Sequence, residues 1–274
     1  MNIFLFIIKI MSLIFRAIYG YPEILLQIMS NLKKIAQVIN LHITRNGIYI
    51  CEISKDNAVC INISIDRDDF INYVYDSKEN VIFGISTNNF YNILKSISSN
   101  ETIILGLTKS KYKKGSKIIT MPQKLIIETY NGLWETSMSL KYIKHPVEEK
   151  GPDDIDYDLE IEMDLDNLKL IIEKMSVSNA KNITFDINNN GLFLNTKTEY
   201  SNIKIKLEPS NNIKFYTTNK YFKILFNLSK IKEIVNSNYY EKVVLSISEN
   251  YPLKIGFLIN IDSNIDYHLV YSNN

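Results

Sequence analysis

The chain repeats itself, and a repeat leaves few folds open. Residues 167–194, NLKLIIEKMSVSNAKNITFDINNNGLFL, read as a helix, a strand, a tight turn and a second strand. Leu168, Ile171, Ile172 and Met175 recur at helical spacing, so one face of that helix is apolar. Ile183, Phe185 and Ile187 then alternate with polar neighbours, the period of a half-buried strand. Asn190-Gly191 offers the positive φ of a two-residue hairpin turn, and Leu192 and Leu194 resume the alternation. Residues 31–50, NLKKIAQVINLHITRNGIYI, carry the same order: helix, strand 41–44, turn Asn46-Gly47, strand 48–50. A duplication within 274 residues predicts two domains of ordinary size, each with its own core.

Between the repeats the chain sorts into short alternating segments. From Met11 it predicts a strand over 13–18 and a helix over 22–39 opened by Pro22, which suits a first helical turn. Strands follow at 59–65 and 81–86, with a short helix at 89–98. Strands 102–108 and 124–130 flank a basic loop, KSKYKKGSK (109–117), and strand 134–142 closes the first half. The second half predicts strands at 159–163, 200–208, 213–217 and 220–226, helix 228–236, and strands 243–248, 253–259 and 266–271. No long crossovers separate the strands, so the fold class is α+β: antiparallel sheets with two helices per half gathered on one side. Residues 143–156 hold two prolines, a glycine and a run of acids with little to bury, and read as a connector between domains 11–142 and 157–274. Residues 1–10, MNIFLFIIKI, read as an N-terminal extension ahead of a functional start at Met11. The run is broken by Lys9 and falls short of the ~20 apolar residues that span a bilayer, so no membrane partner is expected.

Several chemistries find little support. Cys51 and Cys60 flank a hairpin and read as two reduced thiols, and His42, His145 and His268 are scattered, so no metal site is expected. Asp66, Asp68 and Asp69, and Asp153, Asp154 and Asp156, are carboxylate groups that a metal-dependent enzyme would use. Neither lies near a glycine-rich phosphate loop, so catalysis and a cofactor are not expected. Four Asn-x-Ser/Thr patterns are what an Asn-rich chain produces by chance. A formal net charge of +1 excludes a wholly basic nucleic-acid binder but leaves room for a basic stripe.

The succession of helix, Asn-Gly hairpin and acidic connector, with DYDLEIEM (156–163) and the closing run SENYPLKIGFLINIDSNIDYHLVY (248–271), resembles the proliferating cell nuclear antigen family of DNA sliding clamps. The resemblance covers roughly residues 11–271. It implies a homotrimeric ring of six domains around a hole lined by helices, encircling double-stranded DNA without regard to sequence. The ring would act as a polymerase processivity factor and a platform for replication and repair proteins, in the nucleus or, if virus-encoded, at a cytoplasmic replication site. Its partners would be a DNA polymerase, a clamp loader and proteins bearing peptide motifs. The alternatives sharing the fold are a subunit of a heterotrimeric checkpoint-type clamp and a clamp-fold viral transcription factor.

The helix faces fit that implication. Lysines fall opposite the apolar stripes: Lys34 with Lys33 beside it, Lys95, Lys169 and Lys174, and Lys230 with Lys232 beside it. Lysines around a hole attract phosphates of any sequence. The resemblance also implies a pocket for partner peptides formed by Ile53, Asn57, Ala58, Val147, Pro252, His268, Val270 and Tyr271. Finally, it implies ring closure by antiparallel pairing of strand 134–140 with strand 193–198 of the next subunit.

Overall fold

The computed structural model describes residues 13–114, 117–147, 155–188, 191–217, 221–238, 240–260 and 263–272. The extension 1–10, Met11, and Asp153 and Asp154 of the connector lie outside them. The chain divides into two compact units: the chain up to Ile50 with Ser64–Val147, and Cys51–Ile63 with the chain after Val147.

The first half contributes strands β1 (Leu13–Tyr19), β2 (Val38–Ile43), β3 (Gly47–Ile53), β4 (Val59–Asp66), β5 (Asn72–Tyr75), β6 (Val81–Ser86), β7 (Thr102–Lys114), β8 (Lys117–Tyr130) and β9 (Glu135–Lys141). Its helices are α1 (Pro22–Ile35) and α2 (Thr87–Lys95), which pack on each other. One sheet of this unit has the order β5-β1-β7-β8-β9, and a second face is made by β6, β2 and the base of the β3–β4 hairpin. Phe15, Ala17 and Tyr19 of β1 and Leu105 and Leu107 of β7 are buried with Ile28, Met29 and Leu32 of α1. Burial of each large apolar side chain stabilises by roughly 1.5–3 kcal/mol.

The predicted helix 22–39 stops early. The Ala36 N–H closes the last turn on the Leu32 carbonyl, Ala36 itself is extended, and Val38 and Ile39 belong to β2. Both residues are β-branched and sit better in a strand than in a helix. The turn chemistry also shifts by one residue. Thr44 bonds to Gly47, so Gly47 opens β3 instead of sitting mid-turn. Its φ of +141° and the Ile65 carbonyl, 2.1 Å from where a Cβ would stand, exclude any other residue. Asp66 is a cap: its side chain accepts from the Asp68 N–H and opens the 3-10 turn Arg67–Asp69.

The second half repeats the order with β10 (Leu159–Asp164), α3 (Leu165–Ser176), β11 (Asn182–Asn188), β12 (Gly191–Lys197), β13 (Asn202–Leu207), β14 (Ile213–Thr217), β15 (Phe222–Asn227), α4 (Leu228–Asn236), β16 (Lys242–Ile247), β17 (Leu253–Leu258) and β18 (Asn264–Leu269). Its separate sheet has the order β13-β12-β11-β15. The other sheet of this unit runs β14-β10-β16-β17-β18 and on to the tip of the β3–β4 hairpin. Matched caps mark the duplication. Ser86 accepts from the Asn89 N–H at the start of α2, and Asn227 accepts from the Lys230 N–H at the start of α4.

One sequence expectation is overturned here. The strand assigned to ring closure, 193–198, falls mostly in β12, which is bonded on both sides, to β11 and β13. A strand with both ladders filled has no edge to offer. The exposed edge on that side of the sheet is β13, which falls inside the predicted strand 200–208 and has no role in the expected closure. The other expected edge, β9, is terminal in its sheet and largely exposed.

Candidate DNA-facing and partner-binding surfaces

The helix lysines fall into two kinds. Lys34, Lys95 and Lys174 are exposed and Lys232 half-buried, and among the described residues none of the four makes an ion pair. Lys33 lies with its Nζ 3.5 Å from the centre of the Tyr91 ring, so it bridges α1 to α2 by a cation–π contact. Lys169 is half-buried, 3.8 Å from Asp166 one turn before it. Lys230 points away from its own helix: its Nζ is 2.9 Å from Asp56 Oδ2, at the tip of the β3–β4 hairpin. Asp56 also accepts from the Ser54 hydroxyl at 2.6 Å and the Ala58 N–H at 3.2 Å. Those bonds, the Ser54 hydroxyl foremost and Lys230 next, hold its carboxyl well below the usual range. Lys230 therefore latches the hairpin to α4, a role its place opposite the apolar stripe does not signal.

A second surface forms at one end of the sheet in the second unit. Ile53 ends β3, Ala58 precedes β4, Pro252 precedes β17 and Val270 follows β18, and these four strands are neighbours. The Val270 N–H donates to the Ala58 carbonyl at 3.1 Å, and the pairing of Leu253 with Leu269 sets Pro252 opposite Val270. Ile53, Val270 and Tyr271 are 40, 47 and 39% exposed, so the group is an open apolar patch. Asn57 makes the tight turn beside it with a φ of +52°, a conformation asparagine tolerates. Tyr251, exposed next to Pro252, enlarges the patch. It lies in the closing run 248–271, one residue before the proline, but its exposure depends on the Ser248–Tyr251 turn.

Two further members of the expected pocket have their own settings. His268 is buried under the patch, its Nε2 3.3 Å from the Asn62 amide. Burial, with help from Lys254, pushes its pKa down to about 4, so it is neutral and supports the patch from below. Val147 belongs to the first unit, where the approach to the connector is fixed by the Ile143 N–H on the Gly84 carbonyl and the Asn40 amide on the Pro146 carbonyl. Among the described residues no group of three or more His, Cys, Asp or Glu side chains is placed to hold a metal.

Residues 14–129 match the family model of the proliferating cell nuclear antigen N-terminal domain. Over those residues the chain is similar to that family. The whole chain has the clamp fold as well: it superposes on a chain of the PCNA2–PCNA3 complex from Sulfolobus tokodaii with a TM-score of 0.74. That match covers 93% of this chain and 98% of the other at 16% identity. No curated protein matches the chain in sequence.

Proposed function

We propose that this chain is a subunit of a ring-shaped sliding clamp that encircles double-stranded DNA and raises the processivity of a DNA polymerase. The observation that carries this reading is the set of lysines without an ion pair, among the described residues, on helices of both units in a chain of clamp fold. Such charges neutralise phosphates without reading bases, which suits a ring that must move along any sequence. The ring closes between copies through the two exposed edges, β9 of one subunit and β13 of the next. Both are six or seven residues long, and exposed edges of that length are normally paired or covered. The apolar patch around Ile53, Ala58, Pro252 and Val270 receives peptide motifs of polymerase, loader and repair proteins. We read the chain as a scaffold without catalysis of its own, a reading supported by Asp66, which serves as a cap. It works wherever its DNA is replicated, in a nucleus or at a viral replication site.

The named neighbour is a complex of two different clamp subunits, which favours a mixed ring as the second reading. Native mass spectrometry at micromolar concentration separates the two. A self-assembled ring gives three times the 31.8 kDa chain mass. A chain that stays monomeric alone, and closes only with a second clamp protein, makes the mixed ring the correct reading. A monomer that closes with no such partner removes the ring altogether.

A further inference from the structure

The two exposed edges are built in two layers. On β9, Thr136 and Met138 are half-buried and Leu140 buried on one face, while Glu135, Ser137, Ser139 and Lys141 stand exposed on the other. On β13, Ile203, Ile205 and Leu207 make the apolar row, and Asn202, Lys204 and Lys206 the exposed one. Pairing the edges continues both layers only when apolar row meets apolar row, because a slip of one residue turns every side chain to the wrong face.

The exposed rows carry opposite charge. Glu128 of β8 stands opposite Ser137, and Tyr130 opposite Glu135, so Glu128 and Glu135 are diagonal neighbours on the exposed face. Among the described residues, the Glu128 Oε2 is buried without a hydrogen-bond partner. Burial pushes the Glu128 pKa up, Arg16 opposes the rise and Glu135 adds to it. On β13 the matching group is basic. Lys206 stands opposite Phe193, and the Nζ atoms of Lys204 and Lys206 lie 4.0 and 6.0 Å from the centre of that ring. Lys206 also meets Glu208 at 2.5 Å, but their side chains are 44 and 67% exposed, and a pair so screened is weak enough to exchange partners.

Resting on the edge-to-edge closure above, we propose that Glu128 and Glu135 beside β9 receive Lys204 and Lys206 from β13 of a second copy of this chain, and that this match fixes the register of closure. The strands run antiparallel, with Glu135 facing Lys206, Ser137 facing Lys204 and Ser139 facing Asn202. Thr136 then meets Ile205 and Met138 meets Ile203, so the apolar rows join as well. A slip of two residues one way sets Glu135 against Glu208, and the opposite slip leaves most of β9 unpaired. A parallel arrangement carries Lys206 to the far end of β9 from Glu135. One chain holds both halves of the match, so the partner that fits is another copy of itself.

The test uses the full chain, with cysteine pairs at exposed positions that leave the four charged residues in place and wild type, with its Cys51 and Cys60, as the control. Under mild oxidation Ser139→Cys with Asn202→Cys should link neighbouring chains into multimers on non-reducing gels, and Lys141→Cys with Asn202→Cys should not. By light scattering, Lys206→Glu should weaken self-assembly by roughly tenfold or more, since like charges juxtaposed across an interface are costly. Adding Glu135→Lys to Lys206→Glu should restore it, which separates charge from a folding defect. Several results overturn the proposal: a wild-type chain that stays monomeric, unchanged assembly in Lys206→Glu, linkage through positions 141 and 202, or linkage of chains carrying Ser137→Cys with Ser139→Cys, as in a β9–β9 dimer. Assembly that links as expected but is not retained on circular DNA breaks the ring reading and leaves the register standing. Retention on the circle with linkage through 141 and 202 breaks the register and leaves the ring.

Discussion

In the first unit β7 and β8 run to 13 and 14 residues, whereas their counterparts in the second, β16 and β17, have six each. The helices differ in a parallel way. Lys34 and Lys95 of the first pair, like Lys174 and Lys232 of the second, make no ion pair among the described residues, while Lys169 and Lys230 of the second are engaged with Asp166 and Asp56. Yet the caps of α2 and α4, the α–β–turn–β order and, among the described residues, the nine strands per half are common to both. The repeat has held on to what packs and caps, because each of those positions costs about 1 kcal/mol or more when lost. It has drifted where a side chain meets only water.

The largest effect should come from the edges on which the two units differ. Neighbouring residues of a strand send their N–H groups to opposite sides, so of Ser137→Pro and Met138→Pro one removes a donor from the β8 ladder and the other from the outer edge. The outer-edge variant should dissociate the assembly to monomers by light scattering while keeping its melting temperature. If both variants assemble normally, β9 is not the closing edge.

The helix comparison predicts a graded loss on DNA. Lys34→Ala with Lys95→Ala should flatten the salt dependence of binding to closed circular DNA by about 0.9 log units for each phosphate left without its lysine. Lys169→Ala with Lys230→Ala should flatten it less, since those charges are partly spent within the protein. Equal effects would erase the distinction drawn between the two pairs.

Acid should act on the second unit through His268. Its folded pKa is lowered, to about 4, while an unfolded histidine titrates near 6.5. The unfolded state therefore binds the extra proton between those values, and stability falls as pH drops through that window. Between pH 7 and pH 5 the loss should be about 2 kcal/mol. Comparing the pH dependence of melting in wild type and His268→Gln isolates the term, and identical slopes would mean that His268 does not carry it.

The smallest effect belongs to the latch. Lys230→Ala should cost about 0.5 kcal/mol, as its partner Asp56 is half exposed and solvent screens the pair. Its signature is local: amide exchange should quicken at the tip, residues 54–58, and stay unchanged in α3.

Much of this plan is legible in the sequence because it is written in short-range periodicity. Helix 228–236 and strand 81–86 match their predicted bounds to the residue, since apolar spacing is read locally and Asn227 caps the helix. The sequence is less informative wherever a distant contact decides. Helix α1 ends at Ile35 because Val38 and Ile39 pair with β6, and nothing local to that run signals the partner. Strand β5, bonded among the described residues only to β1, escapes the sequence pattern for the same reason. The stretch 109–117 reads as a basic loop in the sequence, although the β7–β8 ladder continues past a register shift at Thr108/Lys109 to Lys114. Among candidate site residues, Ile53, Ala58, Pro252 and Val270 lie at one end of one sheet because the order β17-β18-β4-β3 places them there. The lysines do not share one role: Lys230 has an acid from 174 residues earlier in the chain as its partner. A pairing of that separation cannot be read from helix spacing.

Encirclement is the property on which the proposed function stands, and it has a direct measurement. Protein is bound to nicked circular plasmid at high concentration, washed at a salt level that removes ordinary electrostatic contacts, and then followed after the circle is cut once. A closed ring should survive the wash on the circle and leave promptly on linearisation, because only topology holds it there. Protein that is washed off the intact circle, or that stays on the linear form as firmly as on the circle, would show binding from outside and contradict encirclement.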